Sequence, residues 1–169
     1  IGSWVATELA MLRTAHDHRV PVLGICFGGQ LLAAAHGGSV SRSAAPEIGW
    51  VDIDSEDESL VPSGSWFQWH YDQWELPEAA KEVARNPQSS QAFVLDRNLA
   101  VQFHPEMNSE ILASWIATGG ADEIDRFGMS LDQLVRQTAD RDTSNRQRAH
   151  RLVDQFLHHM TKGSEPSVT

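Results

Sequence analysis

The chain has very little cysteine: its 169 residues contain one, Cys26. A single thiol cannot form a disulfide within the chain, and this is typical of a protein from a reducing compartment. The sequence also lacks an apolar run of the roughly 20 residues that a membrane span needs and the pattern of a signal peptide at its start. We therefore expect a cytoplasmic chain without a membrane partner.

Basic residues are also scarce, since 13 lysines and arginines face 23 acidic residues and leave a formal net charge of −10. Such a chain repels phosphate backbones and anionic surfaces, which argues against nucleic acid as a partner. The 41% apolar content is that of an ordinary globular core. We expect one domain over residues 1–160 and a polar, disordered tail over residues 161–169.

Patterns of apolar residues predict an α/β fold. VPVLGI, residues 20–25, is the short apolar run expected of a strand covered on both faces. The run after Gly28 has a helical pattern and meets a glycine stop at Gly37. This succession of strand, tight turn and helix predicts reactive groups at the carboxyl end of a parallel strand. Further strands are predicted at residues 39–42, 48–53, 65–70, 91–96 and 99–104, and helices at residues 3–18, 108–117, 130–139 and 144–160.

Cys26 lies in the tight turn, within the pattern Gly24-Ile25-Cys26-Phe27-Gly28. G-x-C-x-G is the cysteine form of the nucleophile elbow, in which a strand turns sharply into a helix. A helix amino terminus favours the thiolate, and the N–H of Phe27 can bind a developing oxyanion. The alternative is a buried cysteine that acts as a small hydrophobic residue, and the pentapeptide alone leaves both open.

A catalytic cysteine needs an adjacent base, usually a histidine that a third group orients. His104 closes the predicted strand LAVQFHPE, and Glu106 follows two residues later. Residues two apart share a face of an extended chain, so Glu106 can hold the ring of His104 and stabilise its charged form. Taken alone, however, His-Pro-Glu fits a surface turn better.

The segments GICFGGQLLA and QFHPE, in this order, resemble the class I glutamine amidotransferase family, whose glutaminase domains use a Cys-His-Glu triad. PEIGW, residues 46–50, resembles the family's segment after the elbow helix, and WHYDQWELP, residues 69–77, resembles the loop beside its glutamine pocket. The similarity covers residues 4–116. It implies a doubly wound, mostly parallel sheet flanked by helices, of the flavodoxin-like kind.

The resemblance implies a role for each matching residue. Cys26 is the expected nucleophile, His104 the general base and acid, and Glu106 the residue that orients His104. Phe27 is expected to supply an oxyanion-hole N–H.

A second set of residues is implied for substrate binding. Gln30 matches the glutamine that holds the amino-acid end of the substrate, and Gly28 lies beside it in the same motif. Trp69, His70 and Tyr71 are expected to form a wall that contacts the substrate largely through backbone. Trp69 and Tyr71 depart from the family pattern, which has a smaller serine and glycine there.

The family's second oxyanion N–H comes from a glycine-containing loop that precedes the cysteine. Counting back from Cys26 places this loop at or beyond residue 1, together with the first strands of the family's sheet. We therefore expect the sequence to lack the amino-terminal part of the domain.

The resemblance implies hydrolysis of the glutamine side-chain amide through a Cys26 thioester, with release of glutamate and ammonia. This reaction requires no metal or organic cofactor, and the ammonia would pass to a separate synthetase. Hydrolysis of another γ-glutamyl amide or peptide stays open, as does an inactive truncated domain. An α/β-hydrolase of the dienelactone hydrolase type also uses G-x-C-x-G, but its triad runs Cys, Asp, His, whereas His104 here precedes its acid.

Overall fold

The computed structural model describes residues 2–162 of the chain, apart from the side chains of Ser3 and of residues 160–162. The chain divides into two compact units, one of Ile1–His104 with Leu152–Thr169 and one of Pro105–Arg151. Of the tail predicted at residues 161–169, Thr161 and Lys162 belong to the last helix, and the rest lies outside the described residues.

The first unit contains one sheet with two helices near its start. The helices are α1 (Ser3–Asp17) and α2 (Phe27–Ala35), and the strands are β1 (Leu23–Ile25), β2 (Ser39–Ser55), β3 (Gly64–Glu75), β4 (Lys81–Arg85), β5 (Ser90–Leu95) and β6 (Asn98–Val101). The described strands lie in the order β1-β6-β5-β4-β2-β3. Strands β1 and β6 are parallel, and the other pairs of neighbours are antiparallel.

The α/β class expected from the sequence is confirmed, but the described strands carry more antiparallel pairing than expected. The connections explain the difference. Strands β5 and β6 are joined by Asp96 and Arg97 alone, with Asp96 at a φ of 51°. A two-residue turn joins only antiparallel strands, whereas a parallel pair needs a longer crossover.

Strand β6 is covered on both faces. Leu99 and Val101 lie in one apolar cluster, which also contains Trp66 and Phe103 with rings stacked at a centroid distance of 4.5 Å. Ala100, between them in the chain, lies in a second cluster. The alternation places one cluster on each face of the sheet, and this fixes β6, with β1 beside it, as the rigid support of the turn at Cys26.

The second unit is helical. It contains α3 (Ser109–Trp115), a π-helical segment (Ile116–Gly120), α4 (Ala121–Arg126) and the first part of α5 (Leu131–Lys162). Asn108 caps α3, because its side chain accepts a hydrogen bond of 2.9 Å from the N–H of Ile111. The helices predicted at residues 130–139 and 144–160 form one helix, α5, whose sequence contains neither glycine nor proline. No helix within residues 2–162 combines the length and apolar character needed to cross a membrane.

Candidate active site

Cys26 occupies a strained turn between β1 and α2. Its backbone has a φ of 48° and a ψ of −106°, a region that residues other than glycine seldom adopt. The N–H of Cys26 donates to the carbonyl of Val101 at 2.8 Å, and its carbonyl accepts from the N–H of Gln30 at 3.1 Å. These bonds tie the turn to β6 on one side and to α2 on the other. The partly exposed thiol therefore lies at the amino terminus of α2, as the elbow pattern predicts.

The glycines around Cys26 differ in what they do. A Cβ at Gly24 would lie 2.7 Å from the carbonyl oxygen of Gly28 and 2.7 Å from Leu32 Cδ1, and one at Gly29 would lie 2.8 Å from the Trp74 ring. These two glycines therefore permit close packing of α2 onto the sheet. A Cβ at Gly28 would meet no atom within 4 Å. Gly28 leaves open space two residues after the thiol.

Two buried glutamines connect the thiol to strand β3. Gln102, directly after β6, brings its Nε2 to 3.7 Å from Cys26 Sγ. Gln30 on α2 donates from Nε2 to the backbone carbonyl of Asp72 at 3.2 Å, and the same atom lies 3.5 Å from Gln102 Oε1. The backbone carbonyl of Asp72 thus orients the amide group of Gln30, the residue that is expected to bind the substrate.

His104 and Glu106 follow the end of β6. The sequence predicted that His104 closes this strand. Strand β6 instead ends at Val101, three residues before His104. The ring of His104 is largely buried, and the backbone N–H of His104 donates to the carbonyl of Phe67 at 2.7 Å. The ends of the parallel neighbours β1 and β6 bring Cys26 and the segment that carries His104 to one edge of the sheet.

Glu106 lies in the second unit, where the carbonyls of Pro105 and Met107 on either side of it both accept hydrogen bonds from Asn145 Nδ2, at 3.0 and 2.9 Å. These bonds fix the backbone on which Glu106 stands. Its role toward His104 stays a prediction.

The expected substrate wall lies on β3, where side chains alternate between faces. Trp69 stacks on Phe67 at a centroid distance of 6.2 Å, and Tyr71 lies under the Arg42 guanidinium at 4.6 Å. The His70 ring, on the opposite face, is buried. The three side chains therefore cannot line one wall, and only backbone contacts of the kind expected are open to all three.

The ring of His70 faces a buried carboxylate. Its Nε2 lies 3.2 Å from Glu47 Oε2, without the alignment of a hydrogen bond. Glu47 also accepts three hydrogen bonds. Its Oε1 accepts one from Asn86 Nδ2. Its Oε2 accepts one of 2.9 Å from Gln91 Nε2 and one of 3.4 Å from Ser89 Oγ. Burial raises the pKa of Glu47, but the contact with His70 and the hydrogen bonds from Asn86 and Gln91 outweigh it and hold the pKa below its ordinary value of 4.5.

Sequence reasoning missed two residues of this site, Gln102 and Glu47. Both lie inside motifs that it used, QFHPE and PEIGW. The extended pattern of QFHPE was a usable signal for Gln102, because residues two apart share a face and Gln102 precedes His104 by two. No local signal pairs Glu47 with His70, which lies 23 positions further along the chain.

Comparison with known proteins identifies the family. The model of the family "Glutamine amidotransferase class-I" matches residues 2–117. A GMP synthase (glutamine-hydrolyzing) from Aeropyrum pernix is 39% identical over 129 residues, which cover 68% of this chain and 25% of that protein. Gamma-glutamyl peptidase 4 from Arabidopsis thaliana is 32% identical over 123 residues, which cover 64% of this chain and 49% of that protein.

A solved structure agrees with this family assignment. The crystal structure of a glutamine amidotransferase from Methylobacillus flagellatus superimposes with a TM-score of 0.83 at 28% identity, over 92% of this chain and 70% of that one. The present chain spans a quarter of the length of the archaeal synthase and about half of the plant peptidase. The match over most of the first unit, with the elbow cysteine inside it, shows that the chain belongs to the class I glutamine amidotransferase family.

Proposed function

We propose that the chain hydrolyses the side-chain amide of glutamine through a thioester on Cys26. The observation that carries the proposal is the placement of the one thiol at a strained strand-to-helix turn, at the amino terminus of α2. The first N–H groups of a helix have no acceptor within the helix. They can therefore stabilise both a thiolate and the oxyanion that forms when it attacks a carbonyl.

Each step has a residue to perform it. The Cys26 thiolate attacks the carboxamide carbon, and the oxyanion accepts a hydrogen bond from the Phe27 N–H. His104 protonates the leaving ammonia, and Glu106 orients the ring and stabilises its charged form. Water then gives a proton to His104 and attacks the thioester, which releases glutamate and restores the thiol.

The fate of the ammonia belongs to the same proposal. The archaeal relative is named a glutamine-hydrolyzing GMP synthase, and this chain matches a quarter of it. We propose that a separate synthetase accepts the ammonia, in the cytoplasm, without a cofactor in the hydrolytic step.

A second candidate is hydrolysis of a γ-glutamyl peptide. The plant relative is named a gamma-glutamyl peptidase. Trp69 and Tyr71 also give β3 two large aromatic side chains where smaller residues are typical of the family. The triad chemistry would be the same, and only the leaving group would change.

Glutamate release from glutamine tests the proposal. Cys26→Ala and His104→Ala should lower kcat by several orders of magnitude. His18→Ala is the matched control, because His18 is exposed on the turn after α1, and it should release glutamate at the unaltered rate. Equal release by the Cys26→Ala variant would refute the thioester. Cleavage of a γ-glutamyl dipeptide with glutamine left intact would establish the second candidate instead.

A further inference from the structure

Strand β2 changes register in front of the buried carboxylate of Glu47. Arg42 pairs with Asp72 and Glu47 pairs with His70, so five positions along β2 oppose two along β3. The bulge contains Pro46, which cannot donate a ladder hydrogen bond and is tolerated at bulges. After the bulge, Glu47 and His70 stand directly opposite each other, and side chains in that relation share a face. The register thus produces the contact.

The carboxylate has several partners, all inside the first unit. Asn86, Ser89 and Gln91 offer it hydrogen bonds, and His70 lies against Oε2. Glu47 is 5% exposed and His70 is 4% exposed. Burying a carboxylate costs free energy that such partners only offset, and a buried pair of this kind seldom adds net stability. Its role is therefore better sought in the position of the groups that it holds.

The other ring nitrogen of His70 leads to the thiol. Nδ1 of His70 lies 3.0 Å from the carbonyl of Asp72, the same carbonyl that accepts from Gln30 Nε2. Gln30 in turn contacts Gln102, which contacts Cys26 Sγ. A continuous series of polar contacts therefore runs from Glu47 to the thiol.

This series decides which end of the Gln30 amide is left for a ligand. Because Nε2 is turned to the Asp72 carbonyl, Oε1 is the remaining group, and an oxygen acceptor suits a substrate ammonium. A shift of the Asp72 carbonyl would turn the Gln30 amide with it. The backbone of Cys26 and of His104 is held by other bonds, to Val101 and Phe67.

We propose that Glu47 and His70 are positioning residues, which fix the Asp72 carbonyl and through it the Gln30 amide that receives the amino-acid end of a γ-glutamyl substrate. This inference rests on the proposed function. It predicts that loss of the pair weakens substrate binding more than turnover, since the nucleophile and base keep their own supports.

Two thiol reagents separate positioning from general damage. The glutamine analogue 6-diazo-5-oxo-L-norleucine must occupy the pocket to alkylate Cys26, whereas iodoacetamide needs only an exposed thiol. The labelling ratio is the rate of labelling by the analogue divided by the rate of labelling by iodoacetamide. In the full chain, Glu47→Gln should lower this ratio by about 10-fold or more, because a small displacement of a group that positions the substrate carries a large kinetic cost. The KM for glutamine should rise by a similar factor, with kcat changed by less than about threefold. Glu56→Gln, at the exposed glutamate directly after β2, should leave the ratio unchanged.

A pair of amide variants at position 70 tests the route itself. His70→Asn places an amide nitrogen near the position of Nδ1 and can still donate to Asp72, whereas His70→Gln reaches toward Glu47 and loses that bond. The labelling ratio should fall more for His70→Gln than for His70→Asn, and this order is independent of overall stability. Faster labelling by iodoacetamide would reveal an unfolded variant.

The outcomes are distinguishable. Labelling of the unaltered chain by the analogue, with ratios in the expected order, supports the inference. Equal ratios for the unaltered chain, Glu47→Gln and His70→Gln overturn it and leave the proposed function standing. Labelling of the unaltered chain by iodoacetamide and not by the analogue overturns the proposed function, and the positioning role with it.

Discussion

The conformation of Cys26 depends on what its neighbouring residues lack. A left-handed backbone at a cysteine is strained, and it persists only where its surroundings fix it. The absence of a side chain at Gly24 lets the first turn of α2 approach β1, and the Cys26 N–H then reaches Val101. The thiol at Cys26 and the missing side chain at Gly24 are thus separate requirements, which substitutions at the two positions can test independently.

Substitution of the two motif glycines should separate stability from binding. Gly24→Ala forces a Cβ against the backbone oxygen of Gly28 and should lower the free energy of unfolding by about 1–3 kcal/mol. Gly28→Ala meets no atom and should change it by less than about 0.5 kcal/mol, while raising the KM for glutamine if substrate occupies that space. Urea unfolding and glutaminase kinetics measure the two effects. A large loss of stability in Gly28→Ala would contradict the assignment of open space.

The carboxylate of Glu47 makes stability depend on pH with a definite sign. Its pKa in the folded chain lies below the ordinary value of 4.5 that it regains on unfolding. Its contribution is therefore complete above about pH 4.5 and is lost as the pH falls through the lower, folded pKa. The difference in unfolding free energy between the unaltered chain and Glu47→Gln should shrink as the pH is lowered below about 4.5. Chemical unfolding at several pH values measures this difference in unfolding free energy. A difference that grows as the pH falls would contradict the lowered pKa of Glu47.

At the scale of the elements, α5 supplies the support for the segment that carries Glu106. The family model ends at residue 117, before α5 begins. Asn145, on α5, donates to both carbonyls that flank Glu106, and its side chain is 2% exposed. A residue beyond the matched segment thus holds a residue of the expected triad.

Removal of this support should affect both stability and turnover. Asn145→Ala leaves two carbonyls of the Pro105–Met107 segment without their donor, which should cost about 1–3 kcal/mol of unfolding free energy. It should also lower kcat for glutamate release, because the Glu106 backbone loses its anchor. Asn108→Ala, which removes the cap of α3, costs a comparable ~1 kcal/mol and serves as the matched control. If both variants lose kcat equally, the loss reflects general destabilisation of the second unit.

At the scale of the whole molecule, local patterns were predictable and long-range register was not. The elbow turn and the strand before it follow from a few consecutive residues, so the sequence sufficed. Strand β4, with the sequence KEVAR, was missed because charged residues occupy three of its five positions. Strand β2 was expected as two strands, since nothing in Ala44-Ala45-Pro46 shows that a bulge absorbs the proline. The Glu47–His70 contact depends on that bulge, and it was therefore out of reach of any local pattern.

The way in which β2 joins the sheet has a consequence for motion. Strand β2 pairs with β3 along most of its length, but with β4 only at Asp54 and Ser55. The hairpin of β2 and β3 lies at the edge of the sheet, but Trp66 and Trp74 of β3 are buried in the two core clusters. Opening of the hairpin would expose both rings, so β3 should open only with global unfolding, as core strands do. His70 and Asp72 therefore keep their positions relative to Cys26 for as long as the chain is folded.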